Sequence, residues 1–250
     1  MSARRLEVTS GGLHLDAGIE LPDGTPRGLA VLLHGIPSVA PPDPDDEGYP
    51  GLARRFAARG WAAAWADMRA VRKSPGYFSI EGWVEDARAI VDAARSGPGL
   101  AELPCALVGS SAGGAVSAEA VRRGAPVHAL VLLAAPAAWL SFAADPAAGV
   151  VRVTSDAGMQ LAPETMEDPS QWADEFERVS TEISIAEIDI PVLVVHGTAD
   201  DVVPGGHAAR IASASRGATL EIVQGGAHQL RRDEAVVELV LEWLDRTLPA

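Results

Sequence analysis

The sequence predicts an α/β fold, with helices on both faces of a mainly parallel sheet. Short apolar runs alternate with amphipathic helical patterns along the chain. One run, 128–134, is apolar almost throughout, as expected for a strand buried on both faces. Strands that alternate with helices imply βαβ crossovers and therefore parallel pairing. A chain of 250 residues, 48% of them hydrophobic, can bury a large core in one domain.

The expected strands and helices follow from local patterns taken in chain order. Two runs joined by Ser10-Gly11-Gly12 predict an antiparallel hairpin that begins the sheet. The helix at 80–95 has apolar residues at helical spacing, and glycines end the helices before 60 and 124. The eight expected strands are 4–9, 13–21, 31–33, 61–68, 106–109, 128–134, 192–195 and 219–223. The expected helices are 52–59, 80–95, 112–123, 171–179, 207–213 and 232–248.

Two segments interrupt this alternation. Residues 37–50 are rich in proline and acid, which is unfavourable inside a helix or strand. Residues 137–190 contain several prolines and scattered aromatic residues, with one helix expected near 171–179. Loops this long are usually functional or carry a small element of their own. We therefore expect residues 1–250 to form one domain, with 137–190 as a small cap inserted in it.

Composition and charge exclude several classes of function. The net charge of −14 argues against a nucleic-acid partner, because phosphate binding requires clustered Lys and Arg. The apolar runs are shorter than a membrane span needs, and no apolar segment follows the charged N-terminus as in a secretory signal. These features predict a cytoplasmic protein without a membrane partner. Cys105 is the one cysteine, so no intrachain disulfide can form.

No cofactor or metal is expected. The Gly97-Pro98-Gly99 stretch lacks the third glycine of a dinucleotide-binding fingerprint. The acidic residues between 43 and 47 lack the spaced ligands and bidentate glutamate of a known calcium loop. A solvated acidic loop is the favoured interpretation.

The sequence Gly109-Ser110-Ser111-Ala112-Gly113 carries the first sign of chemistry. It matches G-x-S-x-G between an expected strand and an expected helix, where a tight turn exposes the serine hydroxyl at the helix N-terminus. Ser111 is therefore the candidate nucleophile. Ser110 is the alternative, but it occupies the wrong position in the turn. A strand-to-helix turn without chemistry would also fit this motif taken alone.

An acid and a base follow later strands. Asp200 lies on the loop after the strand at 192–195, and His228 follows the strand at 219–223. Parallel strands gather the loops after their carboxyl ends at one edge, where ligands bind. The order Ser111, Asp200, His228 is one that serine enzymes with a strand–turn–helix nucleophile use. Asp201 remains the alternative acid.

These motifs resemble the α/β-hydrolase family over nearly the whole chain, apart from residues 137–180. The similar stretches are His34-Gly35-Ile36, the turn around Ser111, and the acid loop His196-Gly197-Thr198-Ala199-Asp200. The chain is most similar to compact esterase-like members. The resemblance implies an oxyanion hole formed by the backbone N–H groups of Ile36 and Ala112. Residues 67–74 depart from the glycine-rich stretch that many relatives carry there.

The expected function is hydrolysis of a small-molecule carboxylic ester through an acyl-enzyme. A thioester or a small amide or peptide would suit the same three residues, and so would lyase or perhydrolase chemistry. A binding protein with a vestigial site is the third class, although a binder has no need of all three residues. The sequence leaves homodimerisation open.

The substrate is expected to be uncharged. Apolar side chains of 137–190 are candidates to line the pocket, although the two on the expected helix could instead form the cap's own core. Arg69, Arg72 and Lys73 argue the other way, because basic residues facing the crevice would favour an anion. The apolar candidates are Trp139, Leu140, Phe142, Met159, Met166, Trp172 and Phe176.

Overall fold

A twisted sheet of eight strands forms the centre of the molecule. The structure, a computed structural model, describes residues 1–39, 43–139, 142 and 144–249. The strands are β1 (Ser2–Arg5), β2 (Val8–Ser10), β3 (Leu13–Leu15), β4 (Ala17–Leu21), β5 (Gly28–Leu33), β6 (Trp61–Ala66), β7 (Cys105–Ser110), β8 (Ala129–Leu133), β9 (Val192–Gly197) and β10 (Thr219–Val223). The main sheet has the order β1-β4-β6-β5-β7-β8-β9-β10. Only the β1–β4 and β4–β6 pairs are antiparallel, which confirms the mainly parallel sheet.

Helices cover both faces of this sheet, as expected. The main helices are α1 (Gly48–Ala58), α2 (Ile80–Arg95), α3 (Ala112–Arg122), α8 (Gly206–Ala214) and α9 (Glu234–Thr247), numbered in chain order with the short helices below. Helices α1 and α9 pack their apolar residues against one face. Helices α2, α3 and α8 pack against the other. No helix in the described ranges is long and apolar enough to cross a bilayer.

The N-terminal hairpin is present but divided. The Ser10-Gly11-Gly12 turn joins β2 and β3, which form a separate two-stranded sheet. The antiparallel start of the main sheet comes instead from β1 and β4. The two ladders separate at Asp16, because its backbone N–H donates to Ser74 Oγ at 2.9 Å rather than to a strand. Each of the two expected strands is therefore two short strands.

Helix α1 begins earlier than the proline-rich sequence suggests. It starts at Gly48, so residues 48–50 are helical rather than irregular. Pro50 is tolerated because backbone N–H groups in the first turn have no helical acceptor. Residues 40–42 of this segment lie outside the described residues.

The segment 137–190 is built from short helices. Proline occupies the first helical position twice, at Pro146 and Pro163. The expected helix near 171–179 is confirmed. The helices are α4 (Pro146–Val151), α5 (Pro163–Glu167), α6 (Ser170–Arg178) and α7 (Thr181–Ile185), with a π-helical turn at Arg152–Asp156. That this segment acts as a cap stays a prediction.

Candidate active site

The loops after β5, β7, β9 and β10 meet at one edge of the sheet, and Ser111 lies at its centre. Ser111 directly follows β7, with φ of 53° and ψ of −124°. Its N–H donates to Leu133 O at 2.8 Å, which fixes the turn to β8. A Cβ on Gly113 would lie 2.4 Å from His34 O, so only glycine allows α3 to begin this close to β5. The backbone thus holds Ser111 in a strained conformation that presents its side chain at the helix start.

Asp200 and His228 are brought into direct contact. His228 Nδ1 lies 3.0 Å from Asp200 Oδ1 and 2.9 Å from Oδ2. The backbone N–H groups of Val202 and Val203 also donate to Asp200 Oδ1, at 2.9 and 2.8 Å. Burial favours a higher pKa for Asp200, but hydrogen bonds from Val203, His228 and Val202 outweigh it and lower the pKa below its usual value. Asp200 is therefore an anion that orients the imidazole.

The loops that carry these two residues are in close backbone contact. Ala199 N–H donates to Gly226 O at 3.0 Å, and Gly225 N–H donates to Thr198 Oγ1 at 2.8 Å. A Cβ on Gly197 would lie 2.0 Å from Gly226 O, so the acid loop requires glycine there. The Asp200–His228 contact therefore rests on a rigid backbone arrangement rather than on two side chains alone.

Neither alternative residue shares this arrangement. Asp201, next to the buried Asp200 carboxylate, is exposed, and within the described ranges its side chain has no hydrogen-bond partner. Ser110 is directed away from solvent, with its Oγ near the Tyr49 hydroxyl but without a hydrogen bond of full geometry.

Ser111 and His228 are not hydrogen-bonded to each other. Among the described residues, no acceptor or donor lies within hydrogen-bond distance of Ser111 Oγ in acceptable geometry. Such contacts are often long in unliganded enzymes and shorten when substrate binds. Asp200 and His228 are thus in contact, while His228 and Ser111 are not hydrogen-bonded in this structure.

Two backbone N–H groups near Ser111 have no acceptor among the residues that the structure describes. Ala112 is the first residue of α3, and its N–H has no acceptor in the part of the chain that the structure describes. The N–H of Ile36 likewise has no acceptor among those residues. The loop carrying Ile36 passes against the nucleophile, since a Cβ on Gly35 would lie 2.8 Å from Ser111 Cβ. These two N–H groups fit the expected oxyanion hole.

The other histidines near this edge have structural contacts. His34 Nε2 accepts from Met68 N–H at 2.9 Å, and its Nδ1–H donates to Gly35 O at 2.8 Å. Burial is the main cause that lowers the pKa of His34 to about 4, so the ring is neutral at pH 7. His196 Nε2–H donates to Val203 O at 2.8 Å and lies 3.4 Å from Asp200 Oδ2. Both rings hold loops through these hydrogen bonds.

The aromatic residues of 137–190 are packed mainly against one another. Phe142 stacks on Phe176 with ring centroids 4.7 Å apart, and Trp172 and Trp139 pack edge-on against this pair. All four are buried, and Phe78 contacts two of them from the loop before α2. These rings therefore form a core of their own, the alternative that the sequence left open for Trp172 and Phe176.

The remaining apolar candidates and the basic residues also have defined surroundings. Met159 is buried, Met166 is exposed, and Leu140 lies outside the described residues. Arg69 binds the buried Asp86 through its backbone and side-chain nitrogens. Arg72 binds Asp67 at 2.5 Å, and the exposed Lys73 lies 4.0 Å from Asp16. Each basic residue therefore already has a carboxylate partner.

The described ranges contain no cluster of metal-ligating side chains. Within them, no three His, Cys, Asp or Glu side chains are arranged to hold a metal ion. The sequence patterns missed a contact set that joins Asp46, Tyr49 and Arg231 beside the site. Its members are up to 185 residues apart, so no local pattern could have revealed it.

Comparisons with known proteins agree with this architecture. GrgF, an α/β hydrolase from Penicillium sp. sh18, is similar with a TM-score of 0.78 at 17% identity over 100% of both chains. Est1E from Butyrivibrio proteoclasticus, solved with ferulic acid, has a TM-score of 0.74 at 20% identity over 98% of this chain and 100% of its own. A thermostable carboxyl esterase from Bacillus coagulans has a TM-score of 0.74 at 14% identity over 99% of each chain.

The family comparison covers most of the sequence. The model described as "Serine aminopeptidase, S33" matches residues 24–184, and the model described as "TAP-like protein" matches residues 154–249. A search of curated proteins gave no significant match. Because the first model spans more than half of the chain, the protein belongs to the α/β-hydrolase family, in the group that this model describes.

Proposed function

We propose that the protein is a serine hydrolase that cleaves carboxylic esters of small to medium, uncharged substrates through an acyl-enzyme. The observation that carries the proposal is the Asp200–His228 pair at the same sheet edge as a strained Ser111. In this proposal Ser111 attacks the ester carbonyl while His228 accepts its proton. His228 then protonates the leaving alcohol and later activates the water that releases the acid.

Charge on the reacting oxygen would be stabilised by the backbone. The N–H groups of Ile36 and Ala112 lie beside Ser111 without acceptors in the described residues. Each donor of this kind contributes roughly 2.7–4 kcal/mol to transition-state stabilisation. Asp200 keeps His228 Nδ1 protonated, so that Nε2 is the atom able to accept a proton.

Hydrolysis of a small peptide or amide is the second candidate. The family model that spans residues 24–184 is described as a serine aminopeptidase, which favours this activity. The esterase among the similar structures and the ferulic acid bound to Est1E favour esters instead. The same three residues would serve both reactions. The two reactions therefore differ in the leaving group, which is an alcohol for an ester and an amine for an amide.

Paired substrates test this choice. We would compare kcat/KM for p-nitrophenyl esters of increasing acyl length with that for aminoacyl p-nitroanilides. We expect the ratio of kcat/KM for esters to kcat/KM for anilides to be much larger than the ratio of their uncatalysed hydrolysis rates. Turnover of aminoacyl anilides with little ester activity would assign the protein to peptide hydrolysis.

A further inference from the structure

The turn after His228 carries a partly buried cation that the proposed chemistry does not use. Arg231 lies in a 3₁₀ turn at Leu230–Arg232, just after His228. Leu230 N–H donates to His228 O at 2.9 Å, and Asp233 N–H donates to Leu230 O at 3.1 Å. These short-range bonds make the turn rigid, so a displacement of Arg231 also displaces His228.

Arg231 binds the start of α1 through both ends of its guanidinium group. Its Nη1 donates to Asp46 Oδ1 at 2.8 Å, and its Nη2 donates to Asp46 Oδ2. Asp46 Oδ1 also accepts from Gly48 N–H at 2.9 Å, where α1 begins. The hydrogen bond from Arg231 is the main cause that lowers the pKa of Asp46 to about 2. The pair therefore stays charged throughout any practical assay range.

The contact continues from Arg231 to the nucleophile. The guanidinium carbon lies 5.1 Å above the Tyr49 ring, and that ring packs edge-on against His34 at 6.0 Å. His34 directly precedes Gly35, whose backbone passes against Ser111. One continuous set of contacts thus joins the turn of His228 to the loop beside Ser111.

Two other roles for Arg231 fit these contacts less well. Both ends of its guanidinium group are bound to Asp46 and its face lies on Tyr49, so it is poorly placed to hold a substrate anion. A partly buried ion pair is also weak support for a purely stabilising role, since exposed pairs contribute little and apolar replacements of buried pairs are often neutral. The pair does connect the turn after His228 to the start of α1, which contacts the loop beside Ser111 through Tyr49 and His34. No hydrogen bond spans that distance in this structure.

We propose that Arg231 is a positioning residue that clamps the His228 turn to α1 through Asp46 and Tyr49. The clamp limits how far the His228 turn can move, so that the contact between His228 and Ser111, which is not made in this structure, can form when substrate binds. The proposal rests on the proposed serine-hydrolase function. A misplacement of about 1 Å in a catalytic site can reduce the rate by about 100-fold, so the effect is measurable.

Substitutions at 231 are compared with a matched control at the next residue. Arg231→Met removes both hydrogen bonds but keeps an unbranched apolar side chain, while Arg231→Lys keeps the charge without the planar fork. Arg232→Met makes the same change of charge at a more exposed arginine, which binds Asp43 and lies 3.9 Å from Asp46 but does not hydrogen-bond to it. Each variant is assayed with a p-nitrophenyl ester and a fluorophosphonate probe, well below its melting temperature.

The expected result is a loss of rate without a loss of binding. Arg231→Met should lower kcat and the labelling rate of Ser111 by about 10- to 100-fold, with KM within about threefold. Arg231→Lys should recover part of this loss, and Arg232→Met should stay within about twofold of the unsubstituted protein. Because the two partners act as one unit, Asp46→Asn combined with Arg231→Met should be no slower than Arg231→Met alone.

Three outcomes would overturn the proposal. They are full kcat in a folded Arg231→Met, an equal loss in Arg232→Met, or a raised KM at unchanged kcat, which would indicate substrate contact. If Arg231→Met does not fold, kcat, KM and the labelling rate of Ser111 in Arg231→Lys and Asp46→Asn test the proposal instead. The NMR signals of the His228 ring give a readout independent of activity. They should shift in the 231 variants and not in Arg232→Met, even if the protein proves not to hydrolyse esters.

Discussion

At the scale of single residues, the backbone of Ser111 is the clearest sign of function. A serine at φ of 53° costs of order 1–3 kcal/mol, which a structure keeps only where its surroundings enforce it. Here the bond to Leu133 O and the close passage of Gly113 by His34 O enforce it. The strained turn lies next to the first N–H of α3, which has no acceptor among the described residues.

The acid loop allows a test that separates adjacent aspartates. Asp200→Asn keeps the shape but favours the wrong tautomer of His228, so kcat should fall by about 10⁴-fold. Asp201→Asn changes an exposed carboxylate and should leave kcat within about twofold. Steady-state kinetics of both variants measures this. Sensitivity at Asp201 with tolerance at Asp200 would show that the acid has been assigned to the wrong residue.

His34 predicts a specific dependence of stability on pH. The pKa of His34 is about 4 in the folded protein, whereas an unperturbed histidine has a pKa of 6.5. Below pH 6.5 the unfolded state therefore binds a proton that the folded state does not. Protonation of His34 in the unfolded state has little effect on the free energy of unfolding above pH 6.5. It lowers that free energy as the pH falls toward 4. Between pH 6.5 and 5 the loss should be about 2 kcal/mol.

Urea unfolding at pH 7 and pH 5 measures that loss. His34→Gln retains a donor and an acceptor but does not titrate, so the difference between the two pH values should be smaller by about 2 kcal/mol. An unchanged difference in this variant would contradict a buried neutral His34.

At the scale of elements, strong local patterns predicted structure well and weak ones did not. Helix α2 and strand β10 have the expected bounds, because an amphipathic repeat and a β-branched run between turn residues define them. The hairpin strands divided where Asp16 bonds to Ser74, a residue 58 positions away. The Asp46–Arg231 contact was likewise invisible, since it joins residues 185 apart. Ser111, Asp200 and His228 could be named because each follows a recognisable strand.

The loop after β6 depends on one buried ion pair with α2. Asp86 is fully buried. Its carboxylate accepts hydrogen bonds from the backbone N–H of Arg69 and from the side-chain Nε and Nη2 of the same residue. Asp86→Ala would leave the Arg69 cation without its main partner, and should lower the free energy of unfolding by about 3–5 kcal/mol. Glu85→Ala is the matched control, since Glu85 is exposed and also binds Arg69.

Chemical denaturation of the two variants checks this prediction. Glu85→Ala should change the free energy of unfolding by less than about 1 kcal/mol. Equal losses of unfolding free energy in Glu85→Ala and Asp86→Ala would mean that burial does not determine how much the Arg69–Asp86 pair stabilises the protein.

At the scale of the whole molecule, charge bears on the choice of substrate. The net charge of −14 repels anions, and Arg69, Arg72 and Lys73 each lie near a carboxylate. We therefore expect kcat/KM to be higher for a neutral ester than for a carboxylate-bearing ester of equal length. Added salt should narrow this difference, because screening acts over about 8–10 Å at moderate ionic strength. A preference for the charged ester that disappears in Arg72→Ala would contradict this expectation.

The most direct measurement is the mapping of a fluorophosphonate adduct by peptide mass spectrometry. Only a serine activated by its surroundings reacts quickly with such a probe, so the modified residue is the nucleophile. The account predicts one adduct, on Ser111, which is lost in Ser111→Ala, kept in Ser110→Ala and slowed by at least about 10³-fold in His228→Ala. An adduct on Ser110, or no adduct on correctly folded protein, would contradict it.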